Sequence, residues 1–313
     1  MLNARLMPRL VGLLLLISVP AGILAQSAEE AEPEYSRKGA DTCLSCHEDE
    51  VTLAVFGTPH GVPSNSRSPF GHGQLQCEAC HGPGDSHAGR VRRGAERPPL
   101  INFDTSDNTP VAAENEMCLG CHTDEVGLGW HAGPHEFEDV SCADCHTTHA
   151  QTDAVLAMET QAEVCAGCHQ VQRNEMLKAF SHPLFEEKMT CTSCHDLHGD
   201  NVATETATAA LNDTCFECHA EKRGPYLWEH APVSEDCGLC HSPHGSNNPA
   251  MLSKRAPLLC QSCHSQDGHP AVAYDTGGLA SATPSPYLLA QGCMNCHTQV
   301  HGSNHPSGSK LTR

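Results

Sequence analysis

The chain has 313 residues, a formal charge of −20, 39% hydrophobic and only 4% aromatic residues, with 20 Cys and 23 His. Its length allows one or two ordinary domains, yet seven Phe, four Tyr and two Trp are too few to fill a side-chain core of that size. Eighteen basic residues against 38 acidic ones exclude a nucleic-acid binder, and the missing Gly-x-y and heptad periods exclude collagen and coiled coil.

The N-terminus reads as a signal peptide over residues 1–25. Arg5 and Arg9 form a basic start, Leu10 to Val19 an apolar run, and Ile23-Leu24-Ala25 a cleavage site before Gln26. That run is too short for a membrane span, which needs roughly 20 residues. No Arg-Arg pair marks a twin-arginine route, and no Cys follows the run to take a lipid, the first being Cys43. Cleavage leaves 16 basic against 38 acidic residues, a charge of −22. Residues 26–38 read as an N-terminal linker.

All 20 cysteines form Cys-x-x-Cys pairs, each followed directly by His. They are Cys43/Cys46/His47, Cys77/Cys80/His81, Cys118/Cys121/His122, Cys142/Cys145/His146, Cys165/Cys168/His169, Cys191/Cys194/His195, Cys215/Cys218/His219, Cys237/Cys240/His241, Cys260/Cys263/His264 and Cys293/Cys296/His297. This is the attachment motif of c-type haem. Two thiols three residues apart share one side of a helical turn and can bind the two vinyl groups of one haem, while the adjacent His offers its imidazole to the iron as proximal ligand. Zinc ribbons do not require a His after every pair. Ten Cys-x-x-Cys disulfides would make a redox-active ladder rather than a set of staples, and thioredoxin-type dithiols need a βαβ context that this Gly- and Pro-rich text lacks. The reading is ten covalent haems and no other metal.

Thirteen histidines remain. Taken in pairs, the motifs form five tandem dihaem units, at about 39–100, 114–150, 161–200, 211–248 and 257–302. The text repeats between units: Asp41-Thr-Cys-Leu-Ser-Cys-His-Glu-Asp-Glu-Val51 is echoed by Glu116-Met-Cys-Leu-Gly-Cys-His-Thr-Asp-Glu-Val126. One candidate His lies between the two motifs of each unit. His60, His135 and His182 stand 13 residues after the odd proximal His, His230 stands 11 after, and His269 five after. Another follows the even motif: His149, His198 and His244 three residues after its His, His301 four and His87 six. These ten are the candidate distal iron ligands. In the last unit His301 competes with His305, and His301 is the choice. His72 and His131 are surplus.

Three extended residues span about 10 Å, too little for His198 to reach the opposite face of the haem that His195 holds. A His after an even motif must therefore serve a neighbouring haem. Iron with two His ligands has no open position, so its chemistry is outer-sphere electron transfer. The Met residues follow no repeat and read as packing.

Between motifs, short helices are expected at Gln161 to Cys168, Asn174 to Phe180 and Ala203 to Leu211, with linkers at Arg97 to Asn115 and Leu279 to Pro286. The expected fold is a multihaem cytochrome c, mostly coil with short α-helices and negligible β, forming an elongated haem wire over residues 39–302. Ser303 to Arg313 reads as an unanchored coil tail. Arg90, Arg92, Arg93 and Arg97 form a basic cluster. It is either a solvated loop or a group that pairs with haem propionates or docks an acidic partner.

The sequence resembles the MtrA/DmsE family of decahaem periplasmic c-type cytochromes. The resemblance is carried by Cys77-Glu-Ala-Cys-His-Gly-Pro-Gly84, Leu211-Asn-Asp-Thr-Cys-Phe-Glu-Cys-His-Ala-Glu-Lys-Arg-Gly-Pro225, Asp236-Cys-Gly-Leu-Cys-His-Ser-Pro-His-Gly245 and Gly292-Cys-Met-Asn-Cys-His-Thr-Gln-Val-His-Gly302. His72 departs from that family's pattern. The resemblance implies an exported, non-lipidated, non-enzymatic electron carrier of the periplasm, associated with the outer membrane. It implies a sheath formed by an outer-membrane β-barrel porin, an extracellular multihaem cytochrome or terminal reductase, and a periplasmic or inner-membrane cytochrome as partners. Other classes open to this sequence are a soluble periplasmic electron store and a multihaem reductase, the second of which needs an iron with a vacant position.

Overall fold

The computed structural model describes residues 34–103, 109–199, 208–264, 292–306 and 308–312. The expected signal peptide, the linker at Leu279 to Pro286 and His269 lie outside them.

Helices and turns alternate in step with the motifs. Odd motifs end helices: Ala40–Leu44, Val111–His122, Gln161–Cys168, Thr208–Cys218 and Ala256–Gln261 each run into or through the first Cys of motifs 1, 3, 5, 7 and 9. Even motifs are isolated single turns, at Glu78–His81, Cys142–Cys145, Cys191–Ser193, Cys237–Leu239 and Cys293–Asn295. Val111–His122 starts after Pro110, whose fixed φ suits a helix start, and its Ala, Glu, Met and Leu favour helix. Several of the single turns are held by side-chain caps: Ser141 accepts from the Ala143 N–H at 3.2 Å, and Asp236 from the Gly238 N–H at 2.6 Å. Among the described residues there are no strands, only isolated bridges Phe180↔Ser246, Trp228↔Ser303 and His241↔Leu252.

Five expectations change. The linker drawn as Arg97 to Asn115 ends earlier, because Val111 to Asn115 already belong to a helix. The helix expected at Asn174 to Phe180 is Gln170–Met176, since Phe180 is drawn out to bond the Ser246 backbone. Of the one placed at Ala203 to Leu211, residues 203–207 lie outside the described residues, and the described part belongs to Thr208–Cys218, carried on into its motif. The tail is anchored rather than loose. Gln299 N–H donates to Leu311 C=O at 3.0 Å, Leu227 N–H to Asn304 Oδ1 at 2.7 Å, and Trp228 Nε1 to His305 C=O at 3.1 Å. Glu34 to Lys38, drawn as linker, also dock: Ser36 donates from N–H and Oγ to buried Glu78.

Apolar burial is sparse. Only Ala40, Val55, Trp130, Ala162, Ala166 and Leu184 are buried apolar residues among those described, and no side chain is fully buried. Buried polar side chains hold the motifs together instead. Asn115, three residues before Cys118, accepts from the Cys142 N–H at 2.8 Å and donates to Val140 C=O at 3.1 Å. Asn212, three before Cys215, repeats this with the Cys237 N–H at 2.8 Å and Val233 C=O at 3.2 Å. Gln161 accepts from the Thr192 N–H at 3.1 Å, and Gln76 from the Ala40 N–H. Each clamp ties the two motifs of one unit.

A second device ties neighbouring units. The bridge at Ser246 sets Pro243-His244 against Phe180-Ser181-His182, and the bridge at Ser303 sets Val300-His301 against Trp228-Glu229-His230. In both, the preceding Gly has a positive φ, +142° at Gly245 and +130° at Gly302. A Cβ at Gly245 would stand 2.2 Å from Glu175 C=O.

Two stability outcomes follow. Asn212→Leu leaves the Cys237 N–H without its acceptor and is expected to cost about 1–3 kcal/mol, read as a lower Tm of the holoprotein. Gly245→Ala adds backbone strain and a clash of about the same size or more, and is expected to lower the Tm further than alanine placed at Gly120, where a Cβ meets nothing within 4 Å.

Candidate metal centres

Every Cys-x-x-Cys-His motif forms one helical turn. In nine of them the His N–H donates to the C=O of the first Cys at 2.8–3.0 Å, and His122 closes its own helix. None of the 20 cysteines is joined in a disulfide. Burial pushes the Cys80, Cys145, Cys194 and Cys240 thiols up from their ordinary value.

The motifs adjoin in chain order. Within units the first thiols are in hydrogen-bond contact: Cys43 with Cys77, Cys118 with Cys142, Cys165 with Cys191, Cys215 with Cys237 and Cys260 with Cys293. Between units the second thiol of the even motif is an electrostatic neighbour of the next odd motif: Cys80 of Cys121, Cys145 of Cys168, Cys194 of Cys218 and Cys240 of Cys263. Cys46, read from the sequence as a haem thioether, departs from this scheme. It belongs to the first motif, with no unit before it to offer a second thiol, and its exposed Sγ lies 3.8 Å from the Ser45 hydroxyl instead. Its place one turn after Cys43 is kept, since the Cys46 N–H donates to Cys43 C=O at 3.1 Å. A cavity of about 4300 Å³, lined by residues from Thr58 to Leu311, follows the motifs from Cys80 onward and is not lined by the first motif. That is several times the roughly 300–1,000 Å³ of a single ligand pocket.

Nine motif histidines face a second histidine. The pairs are His47–His87 at 6.5 Å between ring centres, His81–His149 at 6.2 Å, His122–His60 at 6.0 Å, His146–His198 at 6.0 Å and His169–His135 at 5.9 Å. The others are His195–His244 at 6.2 Å, His219–His182 at 6.4 Å, His264–His230 at 6.1 Å and His241–His301 at 6.2 Å. Rings this far apart are not in van der Waals stacking. Two imidazole nitrogens each about 2 Å from one metal ion separate the ring centres by roughly 6 Å, so the gaps fit an iron with two His ligands. The tenth motif His, His297, holds its Nδ1 2.7 Å from Lys310 C=O.

The pairing follows a rule. A His between two motifs reaches forward to the odd motif of the next unit: His60 to motif 3, His135 to 5, His182 to 7 and His230 to 9. A His after an even motif reaches back to the even motif of the preceding unit: His149 to motif 2, His198 to 4, His244 to 6 and His301 to 8. At the first unit, with nothing before it, His87 turns to motif 1. His301 rather than His305 faces His241. His72 is exposed in a turn, and His131 points its Nδ1 to Glu136 at 3.2 Å.

The imidazoles are oriented through Nδ1. Backbone carbonyls lie 2.8–2.9 Å from Nδ1 of His81 (Ile101), His87 (Pro98), His182 (Pro243), His230 (Val300) and His241 (Ala250). A proton fixed on Nδ1 leaves Nε2 for a metal. Burial pulls the imidazoles of His60, His81, His198 and His301 below their ordinary pKa, which keeps them neutral, as metal ligation requires.

Two features have no counterpart in the sequence reading. Trp130, buried, lies nearly parallel to His135 with ring centres 6.3 Å apart and meets His198 edge-on at 6.1 Å, so one indole neighbours imidazoles of two pairs. Arg97, exposed like Arg90, Arg92 and Arg93, donates to the carbonyls of His87 and Gly89 and so closes the loop around His87. Its sequence neighbours gave no sign of that contact.

Comparisons with known proteins agree with this geometry. The doubled CXXCH motif model matches residues 182–224 and 230–269, the NrfB-like cytochrome c-type protein model residues 77–164, and the cytochrome c554 and c-prime model residues 22–82. The cytochrome c-type protein NrfB of Escherichia coli O6:H1 is 29% identical over 53% of this chain and 88% of its own length, and that of Haemophilus influenzae 29% over 51% and 76%. The multiheme cytochrome MtrA of Shewanella baltica is 46% identical over 286 residues, 90% of this chain and 84% of that protein. Similarity of that extent, joined to the repeated haem-attachment turns, makes the chain a member of the MtrA family of multihaem c-type cytochromes, proteins of electron transfer.

Proposed function

We propose that the chain is a non-enzymatic electron conduit. Ten bis-His c-type haems relay electrons across the periplasm and outer membrane, within a porin-like β-barrel, to or from an extracellular cytochrome or reductase. The observation that carries this reading is the set of nine imidazole pairs at 5.9–6.5 Å. In each pair the motif His is the proximal ligand and its facing His the distal one. His269, left over by the forward-and-back rule, is assigned to His297.

Haem c supplies a reversible one-electron iron couple, and two imidazoles leave that iron no open position. The chain contributes the rest. Its thiols fix ten sites in sequence order, its carbonyls hold the imidazoles through Nδ1, and its clamps keep each unit's two sites together. A reductase needs a motif His without a second imidazole, and nine of the ten have one. The neighbouring thiols form a series from Cys43 to Cys293, motif by motif, which favours relay along the chain.

No helix among the described residues is long and apolar enough to cross a membrane. A barrel that satisfies its own backbone polar groups offers a way across for such a chain. Leu128, Phe137, Val171, Leu227 and Leu258 are exposed and do not line the cavity, in keeping with a protein partner around the body. A periplasmic or inner-membrane cytochrome at one end and an extracellular multihaem cytochrome or reductase at the other complete the path. The acidic balance of the chain argues against nucleic acid.

Two measurements test the proposal. Electron paramagnetic resonance of the oxidised protein at pH 7 is expected to show less than one high-spin iron per ten; a larger fraction favours a reductase. Export without membrane association is the mark of a store. Purification from detergent-solubilised outer membranes is therefore expected to bring down a barrel-sized partner in stoichiometric amount, and recovery only from the soluble fraction contradicts the conduit.

A further inference from the structure

The paired imidazoles differ in what holds their outer nitrogen. A neutral backbone carbonyl meets Nδ1 of His81, His87, His182, His230 and His241 at 2.8–2.9 Å, whereas His146 meets a carboxylate. His146 Nδ1 lies 2.7 Å from Asp153 Oδ2, with side-chain exposures of 33% and 17%. The carboxylate is itself fixed, since its Oδ1 accepts from the N–H groups of Thr147 at 3.2 Å and Val155 at 3.3 Å. Other carboxylates stand farther off: Glu125 is 3.4 Å from His122, Glu175 3.4 Å from His244 and Glu221 3.9 Å from His219. Glu125 and Glu221 are also more than half exposed, so water screens them.

We infer that Asp153 is a positioning residue that sets the fourth motif's iron below its neighbours in potential. The inference rests on the reading of His146 as an iron ligand. A hydrogen bond from Nδ1 to a carboxylate makes the imidazole a stronger donor through Nε2 than a bond to a carbonyl does. The full negative charge, held one ring away in a partly dry site, favours the more positive ferric state. Both effects oppose reduction. Motif 4 thus becomes a low-potential position that separates the first three motifs from the last six. The signal in the sequence is a single Asp seven residues after His146, in Thr147-Thr-His-Ala-Gln-Thr-Asp153.

Optical redox titration of the full holoprotein tests this through the haem α band. Asp153→Asn keeps an acceptor and removes the charge. It is expected to move about one-tenth of the total absorbance change, one haem's share of ten, from the most negative part of the curve to higher potential. Asp153→Glu restores the charge and is expected to move that share back. Glu125→Gln is expected to leave the curve where it is. Asp153→Ser reads the same quantity should the amide variant bind haem poorly. A curve that does not change in Asp153→Asn and Asp153→Ser, or one that changes equally in Glu125→Gln, overturns the inference while ten low-spin haems in the wild type leave the ligand reading intact. Fewer than ten haems, or a high-spin iron in the wild type, overturns the ligand reading itself.

Discussion

The structure depends on one geometric demand: two imidazoles must stand about 6 Å apart and face each other across a planar gap. A His adjacent to its own Cys pair supplies one side. The other side must come from elsewhere in the chain, because a residue three positions on cannot pass around a macrocycle. The forward reach of His60, His135, His182 and His230 and the backward reach of His149, His198, His244 and His301 answer that demand for eight pairs. Each interior unit therefore offers an imidazole to its neighbours on both sides. The ends break the rule because a neighbour is missing, and His87 closes on His47.

The remaining architecture follows from that cross-bracing. With prosthetic groups between the loops, the chain needs few apolar contacts of its own, and its buried apolar residues are small or isolated, such as Ala162, Ala166 and Val55. Precision comes from polar groups instead. Asn115 and Asn212 grip the first Cys of the partner motif through its N–H, and the bridges at Ser246 and Ser303 set the loops of two crossing histidines against each other. Buried hydrogen bonds of this kind add little when made but are costly to leave unmade, which suits them to fixing position. The same scheme lets the chain vary one centre at a time. Asp153 stands at His146 where a backbone carbonyl stands at rings such as His81 and His241.

Much of this was legible in the sequence. The ten attachment turns and the alternation of units are local patterns, nine of the ten second histidines named from their spacing face a motif His while His269 lies outside the described residues, and the reach argument already sent His198 to a neighbour. Which neighbour was not legible, because facing rings are a property of loops far apart in sequence, such as Val51 and His149, which meet through Nδ1 at 3.3 Å. The clamps were missed because an Asn before a Cys looks like any surface polar residue. Val111 to Asn115 looked like linker because Pro110 and a polar stretch precede them, yet that Pro is what starts the helix. The tail was misjudged for a similar reason. It has no apolar pattern, and its anchors are backbone bonds to Trp228 and Gln299, a bond from the Leu227 N–H to the Asn304 side chain and one from the Trp228 indole to His305 C=O.

The central claim is that one iron lies between each facing pair of imidazoles, in chain order. Diffraction from crystals of the holoprotein at the iron absorption edge measures this directly. The account predicts ten anomalous peaks, nine of them midway between the named ring pairs, with consecutive peaks belonging to consecutive motifs. Fewer peaks, or an iron between His81 and His87 rather than between His81 and His149, would contradict it.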